Sequence, residues 1–457
     1  MAIVDTAGNT LGVAFDLGSL GASTTVSNFV GSTDTVDFFR FSVNSASDFD
    51  ISLNGLSANA EVALIQDRNL NGVIDADEYV GLSNRFGTAK DTIDINSLPA
   101  GTYYAGVYYS GGDTNYNLYL SATPPSKTFN SNFGYGLVNA ATAVAFVTGK
   151  TSPFPEVADL GGFNWGLDMV KAPEVWQQGY TGQGITVAVL DTGVDYTHLD
   201  LDNNIWINSD EIYGNGLDDD KNSYVDDVIG WDFVDGDNLP YDTDGHGTHV
   251  AGLIAAENNS FGTTGVAYNA KIMPVRISSG LQTTANLDTL LANGINYAVA
   301  NGANVLNMSV GNVPGDPLMP KTMEALANAK RSGVVAVMAS GNERISYAAT
   351  RPDEPASYAA IDLGIAVGAV NAQDILYNQY NDANLAGVAP IDYVVAPGDG
   401  IYSTTPGNTY EQLSGTSMST PFVSGVAALL LGANPSLSPS EVEMAITRTA
   451  NPFGIIV

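Results

Sequence analysis

The chain has 457 residues, with 16 lysines and arginines against 49 aspartates and glutamates, a formal net charge of −33 and no cysteine. This acidic excess disfavours nucleic acid and anionic membranes as partners and suits a protein that binds cations. The missing cysteine excludes disulfides, thiolate catalysis and cysteine-ligated zinc. Because 44% of the residues are hydrophobic and only 14% charged, the chain can bury a core, and its length predicts two or three domains.

Residues 1–125 predict a small all-β sandwich domain. Short β-branched or aromatic runs alternate there with clusters of Gly, Asn, Asp and Ser, which is typical of strands joined by turns. The predicted strands are 36–43, 49–53, 61–65, 92–98, 102–109 and 116–120. A linker, 121–126, follows, and residues 126–150 contain an apolar stretch, 138–147, that predicts one short helix.

Residues 151–457 predict a doubly wound α/β domain with a parallel sheet, because apolar strands alternate with Ala-rich helices. The predicted strands are 185–190, 271–275, 305–309, 334–339 and 365–370, and the helices 248–256, 287–300, 323–332 and 420–431. No apolar run reaches the ~18 residues of a membrane span. Residues 1–5 also lack the basic start and apolar stretch of a secretory signal.

Three sequence blocks carry the residues of a nucleophilic triad. VAVLDTG (187–193) has Asp191 at the end of an apolar strand, DGHGTHVAG (244–252) opens a helix with His246, and LSGTSMSTP (413–421) has Ser417 just before a long apolar helix. A serine hydroxyl needs a base to accept its proton, and a buried carboxylate orients that imidazole. Catalytic groups gather at the carboxyl ends of strands in open α/β sheets, so the three side chains are expected to converge.

Each of these residues also has an ordinary structural interpretation. An aspartate after a strand is usually a cap or turn former, and a lone serine is unremarkable. His246 and His249 are three residues apart, but the zinc-binding His-Glu-x-x-His pattern is absent. We expect His249 and His198 to be structural.

The three blocks, in the order Asp, His, Ser, resemble the subtilisin-like serine proteases, the subtilases. The resemblance covers roughly residues 164–454 and includes GYTG (179–182), VA (266–267), NMSVG (307–311), ASGN (339–342) and APG (396–398). It implies a triad of Asp191, His246 and Ser417, with Asn342 as the side-chain oxyanion donor. The implied activity is a calcium-dependent serine endopeptidase that acts on proteins or peptides through an acyl-enzyme on Ser417. The alternative is a non-catalytic calcium-binding or adhesion module on a protease fold.

The resemblance also implies a substrate groove. One wall would be Ser309, Val310 and Gly311, and the other Ala339, Ser340 and Gly341. An ungapped match between Asn342 and Pro355 puts Asp353 at the pocket floor. A carboxylate there would favour Lys or Arg before the scissile bond; the alternative is that Asp353 points to solvent.

Residues 67–78 (DRNLNGVIDADE) fit the twelve-residue EF-hand calcium loop at every specified position. The glycine place is Gly72, and the flanks predict strands, so we expect a calcium loop inserted in a β domain; the alternative is an Asx-rich turn. The predicted ligands are Asp67, Asn69, Asn71, Val73 through its carbonyl, Asp75 and Glu78.

A second loop, 218–227, keeps the alternating ligands but has Ser223 at the glycine place and no closing Glu. Its predicted ligands are Asp218, Asp220, Asn222, Tyr224 and Asp226. Two further calcium sites are implied by the resemblance alone. One is a loop found in thermitase-like subtilases, with Asp232, Asp235 and Asp237, and the other joins Asp200 to Asn259.

The order of elements departs from the subtilase family in one place. Family members end with a Gly-x-Gly-Leu-x-Asn/Asp-Ala helix, which does not follow the nucleophile helix here, whereas FGYGLVNA (133–140) precedes the catalytic domain. We therefore predict a circular permutation in which residues 129–147 dock as the terminal helix; the alternative is a leftover copy acting as a linker.

The N-terminal domain resembles the bacterial pre-peptidase C-terminal (PPC) type, through DFFRF (37–41), LPAGTY (98–103) and YNLYL (116–120). We expect a secreted or cell-envelope-associated monomer.

Overall fold

The computed structural model describes residues 7–20, 23–45, 47–75, 78–123, 128–150, 153–279, 284–376 and 383–456. Part of the predicted linker, 124–126, lies outside these residues, so the boundary between the first two predicted segments is not tested.

The N-terminal domain is a sandwich of two sheets. Its strands are β1 Phe15–Ser19, β2 Thr24–Val30, β3 Val36–Val43, β4 Ser47–Asn54, β5 Asn59–Ile65, β6 Tyr79–Ser83, β7 Asp91–Leu98, β8 Gly101–Gly111 and β9 Thr114–Thr123. One sheet has the order β1-β3-β8-β5-β6 and the other β2-β9-β4-β7. All pairs are antiparallel except β1 with β3. Alternate side chains point inward, and the rings of Phe41, Phe49 and Tyr103 stack in the core.

The second domain is built on a seven-stranded parallel sheet. Its strands are β10 Thr186–Asp191, β11 Trp231–Asp232, β12 Lys271–Arg276, β13 Val305–Met308, β14 Val335–Ala339, β15 Ile365–Val370 and β16 Tyr393–Pro397, and a hairpin follows, β17 Ile401–Thr405 and β18 Thr409–Leu413. The sheet order is β11-β12-β10-β13-β14-β15-β16. The strands are apolar because helices cover both faces. The predicted fold class is confirmed.

The α-helices among the described residues are α1 Ala140–Val147, α2 Trp165–Met169, α3 Ala172–Trp176, α4 His246–Ala255, α5 Thr284–Ala300, α6 Pro320–Arg331, α7 Thr416–Ala433 and α8 Pro439–Thr449. Within the described residues, α7 alone has the length and hydropathy of a membrane span, which the sequence analysis did not predict. It is 83% buried inside the fold and packs beneath the sheet, so its apolar character is that of a core helix.

The chain order reverses beside β10, since β12 lies on one side of it and β13 on the other. Such a reversal opens a crevice at the carboxyl ends of the strands. Asp191 is the last residue of β10 and therefore faces this crevice edge.

The segment before the catalytic domain docks against the end of the chain. Leu137 and Asn451 exchange two backbone hydrogen bonds, of 2.8 and 2.7 Å, and Val138 N donates to Val395 O at 3.0 Å. Helix α1 then packs on α8, α7 and α3. Gly136 makes the approach possible, because it has φ of +116° and a Cβ there would lie 2.3 Å from Asn451 O.

We predict that Gly136→Ala destabilises the protein by about 2 kcal/mol more than Gly149→Ala, as measured by chemical denaturation. Both glycines have positive φ, but the +64° of Gly149 lies in the left-handed region that L residues can adopt, whereas the +116° of Gly136 lies outside it. A Cβ at Gly149 also meets nothing within 4 Å, so Gly136→Ala adds a collision to a larger backbone cost. Equal destabilisation by the two variants would show that the docking of this segment does not depend on the close backbone approach.

Candidate active site

Asp191 and His246 are in direct contact. His246 Nδ1 lies 2.7 Å from Asp191 Oδ1, which also accepts a 2.7 Å hydrogen bond from Thr192 N. Asp191 is fully buried at the end of β10, whereas the His246 side chain keeps 28% of its surface exposed. The pair therefore has a buried carboxylate and an imidazole whose other edge is accessible.

The charge of Asp191 sets the protonation behaviour of His246. Burial disfavours the imidazolium form, but the adjacent carboxylate outweighs that effect and raises the pKa of His246 above its ordinary value. A raised pKa makes the imidazole a stronger base while it is still neutral, as a general base must be.

Asp242 positions the helix that carries His246, and sequence reasoning missed it. Its buried carboxylate accepts hydrogen bonds from Gly245 N at 2.9 Å, Thr248 N at 2.8 Å and Thr192 Oγ1 at 3.0 Å. It thus caps the start of α4 and ties that helix to the residue after Asp191. An acidic residue just before a helix start was the available signal.

The other two histidines are structural, as expected. His249 Nε2 lies 3.0 Å from Ile401 O, and burial lowers the pKa of His249 to about 4, so its ring is neutral. His198 Nε2 lies 3.2 Å from Thr409 O, and its Nδ1 accepts from Asp200 N at 3.1 Å. Both rings therefore contact backbone carbonyls of the β17–β18 hairpin and attach that hairpin to the rest of the domain.

Ser417 is the second residue of α7 and is hydrogen-bonded to Ser309, the residue after β13. Its Oγ donates to Ser309 O at 3.1 Å, while Ser309 Oγ donates to Ser417 O at 2.9 Å. Asn307 reinforces this join, since its side chain bonds Ser309 Oγ at 3.1 Å and accepts from Ser424 on α7 at 2.8 Å. Ser417 therefore lies at the N-terminus of a buried helix, where backbone dipoles favour negative charge.

Asn342 contacts the residue before Ser417. Its Oδ1 accepts from Thr416 N at 2.9 Å and lies 3.3 Å from Thr416 Oγ1. Because the oxygen is engaged, the Nδ2 amide is the end of the side chain left to donate. This orientation is the one that an oxyanion donor beside Ser417 needs.

The two predicted groove walls follow neighbouring parallel strands. Ser309, Val310 and Gly311 come directly after β13, and Ala339, Ser340 and Gly341 end or follow β14. Asp353 N donates to Ser340 O at 3.1 Å, so the predicted floor residue is attached to the second wall.

The Asp353 carboxylate has a second carboxylate, that of Glu343, beside it. Asn384 Nδ2 lies 2.6 Å from Asp353 Oδ2 and 3.2 Å from Glu343 Oε2, and a Cβ on Gly341 would lie within 2.6 Å of both oxygens. Burial, followed by the Glu343 carboxylate, raises the pKa of Asp353 to about 7. Sequence reasoning missed Glu343, which adjoins Asn342 but comes near Asp353 only because the loop folds back.

The loop of residues 67–78 joins strands β5 and β6, as expected. The carboxylates of Asp67 and Glu78 accept from the loop backbone, whereas Asp75 Oδ2 accepts from the side-chain amides of Asn69 and Asn71 at 2.7 and 3.1 Å. Glu78 is buried and accepts from Arg68 N at 2.9 Å and Asp75 N at 3.1 Å, while Asp67 accepts from Gly72 N at 3.0 Å. Gly72 has φ of +74°, the conformation that the sixth position of a calcium loop requires. The oxygen-rich donor set fits a hard cation.

The loop of residues 218–227 acquires the closing carboxylate that its sequence lacks. Glu211 accepts from Asp219 N at 2.7 Å, Asp220 N at 3.1 Å and Asp226 N at 3.1 Å. These are loop positions 2, 3 and 9, the same three whose N–H groups Glu78 accepts in the first loop. Carboxylate oxygens of Glu211, Asp218 and Asp220 lie within 4.8 Å of one another. Glu211 precedes the loop, so the EF-hand pattern does not reveal it.

In the loop of Asp232, Asp235 and Asp237, two of the carboxylates form ion pairs with the side chain of Arg276. The Arg276 guanidinium contacts the carboxylates of Asp232 and, at 2.7 Å, Asp235. The Asp237 carboxylate instead accepts from Leu239 N at 2.9 Å. Calcium at this loop stays a prediction, with Arg276 as a competitor.

The carboxylate of Asp200 also accepts hydrogen bonds from groups of the protein. It accepts from Asn259 Nδ2 at 2.9 Å, Thr263 N at 3.0 Å and Tyr410 Oη at 3.2 Å, and burial raises its pKa. Asn259 therefore does meet Asp200, but through its amide nitrogen, whereas a calcium ligand would present its oxygen.

Comparisons with known proteins identify the families of both domains. The subtilase family profile matches residues 182–455, and the bacterial pre-peptidase C-terminal domain profile matches residues 35–109. Subtilisin DY from Bacillus licheniformis is 36% identical over 292 residues, which cover 64% of this chain and 92% of that protein. The major intracellular serine protease of Bacillus subtilis (strain 168) is 37% identical over 305 residues, covering 66% and 86%.

The match covers a smaller share of some relatives. Subtilisin E from Bacillus subtilis (strain 168) is 37% identical over 291 residues, which cover 66% of that protein. A solved structure described as a cold adapted subtilisin-like serine proteinase is 28% identical, with a TM-score of 0.45 over 61% of this chain and 88% of that one. The predicted family resemblance and the N-terminal domain type are confirmed by the two profile matches. The chain belongs to the subtilase family and is a subtilisin-like serine endopeptidase with an N-terminal PPC domain.

Proposed function

We propose that the protein is a calcium-dependent serine endopeptidase that hydrolyses peptide bonds through an acyl-enzyme on Ser417. The observation that carries this proposal is the 2.7 Å contact between His246 Nδ1 and the buried Asp191, in a chain whose Ser417 lies in the first turn of helix α7. The contact leaves Nε2 as the position that exchanges protons.

The reaction then follows from these residues. On substrate binding, the Ser417 hydroxyl turns from Ser309 O toward His246, which takes its proton as Oγ bonds to the scissile carbonyl carbon. Negative charge on the carbonyl oxygen is stabilised by Asn342 Nδ2 and the N-terminal end of α7. His246 returns the proton to the leaving amine as the C–N bond breaks, and water repeats the sequence to release the acid.

A fluorophosphonate probe tests the nucleophile. We predict that the protein is labelled and that Ser417→Ala abolishes labelling together with peptidase activity, because the acylated oxygen is gone. Ser414→Ala is the matched control, since Ser414 is an exposed serine three residues away that bonds Asp399 at 3.0 Å. Labelling that survives Ser417→Ala, or is lost in Ser414→Ala alone, would contradict the assignment.

Calcium dependence is proposed for the two loops with a closing glutamate. The support is the shared donor pattern around Glu78 and Glu211, since each accepts from the N–H groups of loop positions 2, 3 and 9. Bound calcium would be held by side-chain and carbonyl oxygens and would neutralise carboxylates that otherwise repel one another. Because the native state alone has these loops formed, calcium would stabilise it by mass action.

We predict that replacing calcium with excess EGTA lowers the melting temperature and that Glu78→Gln and Glu211→Gln each reduce this difference. At calcium a hundredfold above the dissociation constant, one site contributes about 2.7 kcal/mol. Glu324→Gln, at an exposed glutamate of α6, is the control and should keep the full difference. An unchanged melting temperature in EGTA would refute calcium dependence, and a full calcium response in Glu211→Gln would remove Glu211 from the ligand set.

The substrate preference proposed for this protein is a basic residue before the scissile bond. Support comes from the half-buried Asp353 carboxylate attached to the Ser340 wall, with Glu343 beside it. The substrate backbone would pair with residues 309–311 as an added strand. An ammonium or guanidinium in the pocket would compensate the two adjacent carboxylates.

We predict that kcat/KM for Lys or Arg at this position exceeds that for Phe or Leu, and increasingly so as pH rises through 7, because Asp353 ionises there. Asp353→Asn should reduce the basic preference on the order of 10–100-fold. Asp316→Asn, at another carboxylate that lines the same cavity as Asp353, controls for general charge. Equal or better cleavage after Phe or Leu would contradict the proposal.

The domain organisation is proposed as predicted, with residues 1–125 as the sandwich, 126–150 as a displaced terminal element and 151–457 as the peptidase domain. The circular permutation is supported by the backbone pairing of Leu137 with Asn451 and by the packing of α1 on α7 and α8. Secretion and a monomeric state also remain proposals. One similar relative is named an intracellular protease, so the comparisons carry localisation no further.

A further inference from the structure

The sandwich meets the peptidase domain through a polar sheet face. On β4 and β7 the inward residues are apolar, whereas Asp48, Thr92 and Asp94 point outward and yet are 2%, 4% and 8% exposed. Helix α8 covers them. Thr92 Oγ1 lies 2.8 Å from Ser438 Oγ at the start of that helix, so the contact crosses between the domains.

Acidic side chains outnumber basic ones in this interface. Asp50 and Asp94 stand directly opposite each other on adjacent antiparallel strands, where like charges destabilise a sheet. Arg448 of α8 lies 3.4 Å from Asp50 and 3.9 Å from Asp48. One guanidinium therefore faces three carboxyl groups.

A second cluster of acidic residues lies in the same interface, with Lys330 and Arg68 as the basic residues near it. Lys330 contacts Asp362 at 2.5 Å and Glu443 at 2.9 Å, and Asp392 brings a third carboxylate within 4.8 Å. A cavity of about 210 Å³ beside Asp362 and Asp392 is lined by residues of both domains. A carboxylate excess buried between two domains must be balanced by bound positive charge.

We propose that the sandwich is docked on the peptidase domain by a proton-dependent latch, in which Asp50 and Asp94 share one proton in the docked state. Their side chains stand opposite each other on β4 and β7, and the buried Asp94 Oδ2 has no hydrogen-bond partner among the described residues, so a proton on one carboxyl group would supply the donor that the other can accept. Loss of the proton leaves two opposed negative charges that Arg448 cannot neutralise. The latch goes beyond the proposed endopeptidase function and does not depend on it.

The direction of the pH dependence follows from linkage. Burial, with Asp50 as the next cause, raises the pKa of Asp94 well above its ordinary value in the docked state. Undocking exposes both groups, and the pKa returns toward about 3.9. The docked state thus binds the extra proton, so docking weakens as pH rises, by up to tenfold in the docking constant per pH unit. The charged groups facing Asp94 are Asp50 on β4 and Glu441 and Arg448 on α8, and Arg448 also lies 3.9 Å from Asp48 on β4.

Because the chain lacks cysteine, two introduced cysteines report the distance between the domains. The experiment uses the full-length Ser417→Ala protein, to prevent self-cleavage, with Thr33→Cys on the sandwich and Gln177→Cys on the peptidase domain, both exposed. A dye pair on these positions gives energy-transfer efficiency between pH 5 and pH 9. We expect the efficiency to fall with rising pH in this parent protein. In Asp94→Asn it should stay at the low-pH value, because the amide is neutral and can still donate to Asp50.

Asp16→Asn is the control, since Asp16 is an exposed carboxylate of the sandwich paired with Arg40 outside the interface. It should follow the parent protein. Asp50→Asn, at the more exposed member of the pair, carries the same expectation as Asp94→Asn should that variant fail to fold by circular dichroism. A parent protein whose transfer does not change with pH, or an aspartate-to-asparagine variant that loses transfer like the parent, would overturn the latch.

Discussion

The carboxylate of Asp242 joins the two elements on which the active-site geometry depends. It receives hydrogen bonds from Thr192, which follows Asp191, and from the first turn of the helix that begins at His246. These hydrogen bonds hold strand β10 and helix α4 in one relative position. The side chains of Asp191 and His246 are therefore already 2.7 Å apart in the folded protein. Ser417 and Asn342 join this frame through neighbouring strand ends, because parallel strands deliver their carboxyl termini to one edge.

Three acidic clusters of the chain have, or are proposed to have, physically different cationic partners. Around Asp232 a guanidinium of the protein, Arg276, occupies the place of a cation. In the loops closed by Glu78 and Glu211, backbone N–H groups orient the carboxylates toward a small oxygen-lined space, for which we propose calcium. Between the domains, the opposed Asp50 and Asp94 have one nearby guanidinium, and there we propose a proton. The same residue type thus has different partners, set by burial and by which cation can reach it.

The segment before the peptidase domain packs against the residues that follow α8, as the proposed circular permutation requires. Residues 133–140 pair with both β16 and the residues after α8, so the helix α1 covers the same core as α7 and α8. Close backbone approach at Gly134 and Gly136 is what permits this, since a Cβ on either would collide with a carbonyl group. Connectivity is therefore less constrained than packing, provided that the ends to be joined lie near each other.

The sequence by itself determined the fold class, the triad candidates and the first candidate calcium loop, because periodicity, strand-end motifs and the twelve-residue ligand pattern are local signals. Only the tertiary structure brought Glu211 to the second loop, Glu343 to Asp353, Asp242 to the start of α4 and Arg276 to the Asp232 loop. These contacts join residues whose spacing carries no pattern, so nothing in the neighbouring sequence marks them. Likewise, the imbalance of charge between the domains exists only after β4, β7 and α8 are packed together, since it is burial that turns ordinary surface aspartates into a coupled acidic pair.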